Sequence, residues 1–328
     1  MSKYAVTIGS SHAYAMGMNA TLNALDYYGV KDIDVYVYSN ELMKDYFDYA
    51  KDKFSFPLYY VNVDDLCQGY HIDNIAWNDN VFFWGKYPLF LKIKDKYNAI
   101  LHLDGDCMVA DDISENFKIA SETGKIVIAQ NPHSSMRLSS IHGWADNRDR
   151  LFDFCKGGPV VNYVFFMDAK KHVDLLEYVW EYRNKREWND KNYGLETYYF
   201  ILGLYDLKKL DQVIELPWKW WIADKYLGTA AIPFITDSNG KHHLLAPDGR
   251  NIQVVHGRFY DRAMIKSAIQ SNTDPKHNSR EKSESFIFSC KSHTKLTDFL
   301  NYQWKVKLDV VRNLNASYHT FIPVWEEF

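Results

Sequence analysis

Short apolar segments alternate with amphipathic ones along the first two-thirds of the chain. The apolar segments have the length of strands, and we predict strands at 4–9, 33–39, 58–63, 99–103, 125–130 and 160–167. Between them, apolar residues recur at helical spacing, and this spacing predicts helices at 17–29, 40–53, 81–96, 113–122 and 169–187. Pro88 falls inside one of these helices and marks a place where it starts or is interrupted.

This alternation of strands and helices predicts an α/β fold. The expected architecture is a mostly parallel mixed sheet of the Rossmann type with helices on both faces. Ligands of such sheets bind outside the carboxyl ends of the strands. Asp104 and Asp106 follow the strand at 99–103, and Asn131 follows the strand at 125–130. The pattern therefore places a candidate site at this edge of the sheet.

The rest of the chain divides into a polar segment and a helical one. We predict a catalytic domain at 1–270, a polar linker or mobile loop at 271–292 and a helical extension at 293–328. In the extension, apolar residues from Leu296 to Leu314 form one stripe at helical spacing. The stripe either packs on the body of the protein or serves as a contact surface for association, and the oligomeric state stays open.

Composition and charge exclude several classes of protein. The 328 residues carry a net charge of −4, so an affinity for nucleic acid is not expected. The four cysteines form no C-x-x-C pair, which argues against a thiolate zinc site and against a disulfide framework. The N-terminus has no apolar signal core, and no stretch approaches the ~20 apolar residues of a membrane span. We expect a cytoplasmic protein.

The sequence Asp104-Gly105-Asp106 allows three interpretations. The simplest is a solvated acidic turn after a strand. A calcium-binding EF-hand loop is rejected, because Met108 stands at its fifth position and Val109 where the loop needs glycine. The third is a divalent-metal site for a nucleotide diphosphate, in which two neighbouring carboxylates bind a hard cation and Gly105 leaves room beside them.

Several sequence blocks favour the third interpretation because they occur in the order of one known family. The blocks are TIGSSHAYAMGMNATLNAL (7–25), LFLKI after Gly85-Lys86-Tyr87-Pro88, HLDGDCMVADDI (102–113), VVNYVFFMDAKK (160–171), YGLETYYF (193–200), IELPWKWW (214–221) and VVHGRFYDR (254–262). Across residues 4–262, about four-fifths of the chain, they resemble glycosyltransferases of the GT-A fold. The resemblance is to glycosyltransferase family 8, which includes glycogenin and bacterial galactosyl- and glucosyltransferases.

The resemblance implies roles for individual residues. Asp104, Asp106 and His256 correspond to the metal ligands, and this mixed oxygen and nitrogen set favours Mn²⁺, with Mg²⁺ also possible. Glu196 and Asn162 correspond to catalytic, sugar-facing positions. Apart from the resemblance, Trp218 and Trp220 are expected either to bind the acceptor by stacking on its sugar rings or to lie in the core. The residues expected to bind the nucleotide and donor are Thr7, Ile8, Tyr14, Lys86, Asp104, Gly105, Asp106, Asn131, Gly257 and Arg262.

The sequence departs from the family in its sugar-facing motifs. Asn162-Tyr163-Val164 stands where the family has Asn-Ser-Gly, and Glu196-Thr197 where it has Asp-Gln. The resemblance thus implies a metal-dependent hexosyltransferase that uses a UDP-sugar and a glycan or another hydroxyl acceptor, with retention of anomeric configuration expected. The alternatives are a nucleotidyltransferase of similar fold and an inactive nucleotide-sugar-binding protein.

Overall fold

The computed structural model describes most of the amino-terminal two-thirds of the chain and three short strands beyond it. The described residues are 3–10, 15–67, 82, 84–105, 107–109, 111–130, 160–185, 195–216, 234–239, 242–244, 251 and 253–256. For Asn162 and His256 the backbone alone is described. The predictions for Tyr14, Asp106, Asn131, Trp218, Trp220, Gly257, Arg262, the linker 271–292 and the extension 293–328 concern residues outside the described ones.

Strands and helices alternate as the apolar pattern predicts. The strands are β1 (Tyr4–Gly9), β2 (Ile33–Ser39), β3 (Leu58–Asn62), β4 (Ala99–Asp104), β5 (Cys107–Val109), β6 (Ile126–Gln130), β7 (Val160–Met167), β8 (Val213–Leu216), β9 (Phe234–Thr236), β10 (His242–Leu244) and β11 (Val254–His256). The helices are α1 (Ala15–Tyr28), α2 (Lys44–Ala50), α3 (Val63–Leu66), α4 (Lys86–Ile93), α5 (Ser114–Thr123), α6 (Val173–Lys185) and α7 (Leu195–Asp206).

Seven of these strands form one mixed sheet in the order β3-β2-β1-β4-β7-β6-β8. Neighbouring strands in it are parallel except where β7 pairs with β4 and with β6. The predicted α/β class with a mostly parallel mixed sheet is confirmed. Because β7 alone runs backwards, its first residues lie at the edge where the other strands end.

Both faces of the sheet are covered by apolar helix faces. Side chains alternate between the two faces along a strand, so Phe165 and Phe166 of β7 point in opposite directions. Phe165 packs between Phe90 of α4 and Phe200 of α7, with ring centroids 5.4 Å apart in both pairs. Phe166 packs edge-on against Phe117 of α5 at 4.8 Å. These contacts place α4 and α7 on the same face of the sheet, where α6 packs against both.

Three predicted helices are shorter or divided in the structure. The segment 40–53 forms a 3-10 turn at Glu41–Met43 and then α2, and the segment 169–187 forms a 3-10 turn at Ala169–His172 and then α6. The Asp168 carboxylate accepts a hydrogen bond from the backbone N–H of Lys170, which caps that turn. In the segment 81–96, Phe82 and Trp84 are also helical, a turn at Gly85 interrupts the helix three residues before Pro88, and α4 ends at Ile93. None of the helices in the described part of the chain is long and apolar enough to cross a membrane.

Candidate active site

The carboxyl ends of three adjacent strands meet at one edge of the sheet. Gly9 at the end of β1 is in register with Tyr38 of β2 on one side and with Asp104 of β4 on the other. Gly105 packs directly against this edge, because a Cβ atom at Gly105 would lie 2.6 Å from the carbonyl oxygen of Gly9. A side chain on Gly9 would likewise collide with the Tyr38 ring. The close packing at this edge therefore requires glycine at both positions 9 and 105.

Asp104 is held at this edge through one of its two carboxylate oxygens. Its Oδ1 lies 2.8 Å from Nε2 of His102 and 3.7 Å from Nζ of Lys86. The Asp104 side chain is 21% exposed, whereas those of His102 and Lys86 are fully buried. The carboxylate thus connects the buried interior of the site with the open edge of the sheet.

His102 is a buried, neutral imidazole. Burial, and secondly the nearby Lys86 ammonium, lower its pKa to about 4, although the hydrogen bond with Asp104 opposes both effects. A neutral imidazole carries one N–H, and a carboxylate can only accept, so the hydrogen is on Nε2 and is donated to Asp104. Nδ1 is then an acceptor and lies 3.2 Å from Oγ1 of Thr7, whose hydroxyl can donate either to Nδ1 or to the carbonyl oxygen of Leu101.

Lys86 joins the first turns of two helices beneath the same edge. It is the first residue of α4, and its Nζ lies 3.4 Å from Oε1 of Glu196 in the first turn of α7. Glu196 is buried as well. The distances of 3.7 Å to Asp104 and 3.4 Å to Glu196 place one ammonium between two carboxylates. This arrangement differs from the solvated lysine that the start of an exposed helix would present.

The described contacts of this cluster bring together more negative than positive groups. They join one ammonium and two carboxylates, with His102 neutral, which sum to one negative charge. Asp106 adds a second acidic group two residues along the chain. Charge that is only partly compensated near a low-dielectric interior attracts a cation more strongly than it would in water. The edge of the sheet is therefore suited to a divalent metal ion.

A small two-stranded ribbon brings His256 to this edge from far along the sequence. β5 starts at Cys107, directly after Asp106, and pairs antiparallel with β11. In this register His256 is the partner of Cys107. Paired residues of antiparallel strands have Cα atoms about 4.5–5.5 Å apart. The backbone of His256 thus lies beside the Asp104-Gly105-Asp106 turn.

The second acidic pair has a different role. Asp112 accepts hydrogen bonds from the backbone N–H of Ser114 at 2.9 Å and from its hydroxyl at 2.6 Å, at the start of α5. Asp111 accepts a hydrogen bond from the side-chain amide of Asn251 at 2.8 Å and lies 3.1 Å from Nδ1 of His243. These contacts attach the segment after β5 to α5 and to β10.

The structure brings several of the predicted site residues together and leaves others untested. Asp104, Lys86 and Glu196 form one cluster. The backbone of Asn162 lies at the same edge, because Val164 pairs with Leu103 in the antiparallel strand β7. Thr7 and Ile8 lie inside β1, with sheet partners on both sides. Their expected contacts with the nucleotide stay a prediction.

His102 was not predicted from the sequence, although a signal was present. Alternate residues of a strand share a face, so His102 and Asp104 must point to the same side of β4. A histidine two residues before a functional carboxylate on a buried strand is within reach of that carboxylate. The structure confirms this contact at 2.8 Å.

Sequence comparison gives no relative: no protein-family model and no curated protein matches the chain. Comparison with solved structures finds similar proteins. WbbM, a bifunctional glycosyltransferase, is similar over 87% of this chain at 10% identity with a TM-score of 0.52, and the chain covers 51% of WbbM. Mouse xyloside xylosyltransferase 1 is similar at 14% identity over 68% of this chain and 87% of its own, with a TM-score of 0.47. LgtC is similar at 14% identity over 77% and 86%, also with a TM-score of 0.47.

The order and directions of the strands in the sheet agree with the similarity to WbbM. In this chain the parallel strands β3, β2, β1 and β4 are followed in the sheet by the single reversed strand β7 and then by β6 and β8. The acidic turn after β4 lies at the edge where the parallel strands end. The chain has the GT-A glycosyltransferase fold.

Proposed function

We propose that this protein is a metal-dependent glycosyltransferase that transfers a hexose from a UDP-sugar to a hydroxyl acceptor. The observation that carries the proposal is the pairing of β5 with β11, which brings His256 beside the acidic turn. The two parts of the proposed ligand set are separated by about 150 residues in the sequence. A pairing of this kind is what a joint function of Asp104, Asp106 and His256 requires.

The donor set fits a divalent cation. Asp104 offers a partly exposed carboxylate in a cluster with net negative charge, and Asp106 and His256 would add an oxygen and a nitrogen ligand. Within the described residues, no three His, Cys, Asp or Glu side chains form a group that could hold a metal, and the side chains of Asp106 and His256 lie outside those residues. Carboxylate and imidazole ligands together suit Mn²⁺ better than Mg²⁺. Such a cation would neutralise charge on a departing diphosphate.

The remaining residues of the cluster act on the donor sugar. Lys86 supplies positive charge near the diphosphate, and Glu196, fixed by Lys86, orients sugar hydroxyls or stabilises positive charge at the anomeric carbon. Asn162 contributes from the first residues of β7. In the transfer, the bond between the anomeric carbon and the β-phosphate oxygen breaks and a bond to the acceptor oxygen forms. The acceptor attacks the face of the sugar from which UDP departs, so the configuration is retained, and its proton passes to the departing UDP, so no dedicated base is needed.

Donor hydrolysis tests this proposal without knowledge of the acceptor. Release of UDP is measured over a panel of UDP-sugars with MnCl₂, with MgCl₂ and with EDTA. We expect release from one preferred donor that depends on the metal. Asp106→Asn should abolish it, while Asp112→Asn, the same change on an exposed carboxylate before α5, should leave it intact.

Two outcomes would contradict the proposal. Release of UDP that is unchanged by EDTA, or full activity of Asp106→Asn, would contradict the dependence of the reaction on a metal. Release of pyrophosphate from a nucleoside triphosphate in place of UDP would identify a nucleotidyltransferase. Once the donor is known, NMR of the product with an added acceptor determines whether the anomeric configuration is retained.

A further inference from the structure

We propose that His102 is a positioning residue for metal binding: it fixes the Asp104 carboxylate through Oδ1, so that Oδ2 is the oxygen offered to the cation. This inference rests on the proposed function, since it assumes that Asp104 is a metal ligand. It assigns a role to a fully buried side chain that is not itself proposed as a metal ligand.

The contacts of Asp104 are unequal between its two oxygens. Both described contacts, with His102 Nε2 at 2.8 Å and with Lys86 Nζ at 3.7 Å, involve Oδ1. Among the described residues, none contacts Oδ2. A carboxylate bound through one oxygen has a fixed rotation about its side chain, and its second oxygen has one preferred direction. The partial exposure of Asp104 is consistent with Oδ2 facing the open edge.

The imidazole of His102 is itself held in place. Its side chain is fully buried, between the rings of Tyr38 at 6.3 Å and Phe165 at 5.6 Å. Thr7 holds the opposite nitrogen, because its Oγ1 lies 3.2 Å from Nδ1. Whichever partner the Thr7 hydroxyl takes, the hydrogen on Nε2 must point to Asp104, since a carboxylate accepts and does not donate.

A partner of this kind affects metal affinity without touching the metal. Groups that hydrogen-bond a metal ligand fix its orientation, and their loss typically weakens metal binding by about 10- to 100-fold. Lys86 is 0.9 Å further from Oδ1 than His102 is (3.7 Å against 2.8 Å), so it contributes charge more than direction. The directional contact is therefore the one from His102.

The test compares two substitutions at position 102 by Mn²⁺ binding, measured as loss of the free Mn²⁺ EPR signal in the presence of UDP. His102→Phe keeps a buried ring and removes the donor, and it leaves Leu101 as an acceptor for the Thr7 hydroxyl. We expect its Kd for Mn²⁺ to rise about 10- to 100-fold. His102→Gln, whose amide can still donate to Asp104, should bind Mn²⁺ within a few-fold of the wild type.

Asp104→Asn distinguishes a failure of the proposed metal site from a failure of the role proposed for His102. If Asp104→Asn binds Mn²⁺ as the wild type does, Asp104 is not a ligand and the proposed metal site itself fails. If Asp104→Asn loses Mn²⁺ while folded His102→Phe retains wild-type affinity, the metal site stands and the positioning role of His102 is overturned.

A spectroscopic measurement keeps the inference testable even if His102→Phe does not fold. The ¹⁵N shifts of His102 in the wild-type protein report which ring nitrogen carries hydrogen. We expect a hydrogen on Nε2 both without and with Mn²⁺, the latter tested with diamagnetic Mg²⁺ in its place. A hydrogen on Nδ1 alone would contradict the inference, and loss of the Nε2 hydrogen on metal addition would mean that His102 is itself a ligand.

Discussion

Replacing Lys86 by methionine should strongly destabilise the protein, apart from any effect on activity. The substitution keeps most of the side-chain volume, so the packing of α4 changes little. It removes the only ammonium described between the carboxylates of Asp104 and Glu196. Two acidic groups would then face each other across a buried site without the positive charge that separates them.

The expected loss can be worked from the distances. At an effective dielectric constant of about 20, charges 3.4 Å and 3.7 Å apart attract each other by roughly 5 and 4.5 kcal/mol. The cost of burying the ammonium offsets much of this attraction, and removing one partner of a buried ion pair usually costs about 3–5 kcal/mol. Because Asp104 is 21% exposed and can be solvated by water, we expect the lower end, about 3 kcal/mol.

The assay is urea denaturation at pH 7 in EDTA, followed by tryptophan fluorescence. Lys44→Met is a matched control: Lys44 Nζ also lies 3.7 Å from a carboxylate, that of Glu41, but the side chains are 57% and 63% exposed. Its loss should stay below about 1 kcal/mol. If both variants lose the same small amount of stability, Lys86 does not stabilise the cluster and the reasoning from its burial is refuted.

Three further predictions concern residues around the site and behind it. Gly105→Ala should lower the melting temperature, because the new Cβ atom would lie 2.6 Å from the Gly9 carbonyl oxygen, a backbone atom that cannot move cheaply; a wild-type melting temperature would contradict the described turn. Tyr97→Phe should cost about 1–3 kcal/mol in urea denaturation, since the buried Asp34 carboxylate loses the hydroxyl that donates to it at 2.5 Å; an unchanged midpoint would contradict this. His102→Gln should flatten the pH dependence of stability in EDTA. The pKa of His102 is about 4 in the folded protein and about 6.5 in the unfolded chain, which therefore binds the proton first as the pH falls. The wild type should lose about 2 kcal/mol between pH 7 and pH 5 from this residue, and parallel curves for the two proteins would contradict the assignment.

The main elements of the fold could be predicted because their signals are local. β1 and β2 are short apolar runs bounded by polar residues, and the structure places both at the predicted positions. The direction of β7 has no such signal, since a buried strand shows the same apolar run in either direction. The carboxyl end of the helix at 81–96 was also missed, because the periodicity continues beyond Ile93.

The candidate site was predictable in position and less so in its interactions. The rule that ligands bind at the carboxyl ends of parallel strands places Asp104 at the edge without further information. The contact between Lys86 and Glu196 joins residues 110 positions apart, and it forms only because the first turns of α4 and α7 meet on the same face of the sheet. Such contacts arise from tertiary packing, which a pattern within one segment does not record.

The reversal of β7 separates the edge where we propose that substrates bind from a place where the chain can be labelled. Because β7 starts at the edge of the acidic turn, it ends at the opposite edge of the sheet. The turn at Ala169–His172 follows there, and its Lys170 side chain is exposed. A fluorescent label on a cysteine placed at position 170 would lie a full strand length away from Asp104. This position can be used to immobilise the protein or to follow it during turnover without covering the edge of the sheet that carries Asp104.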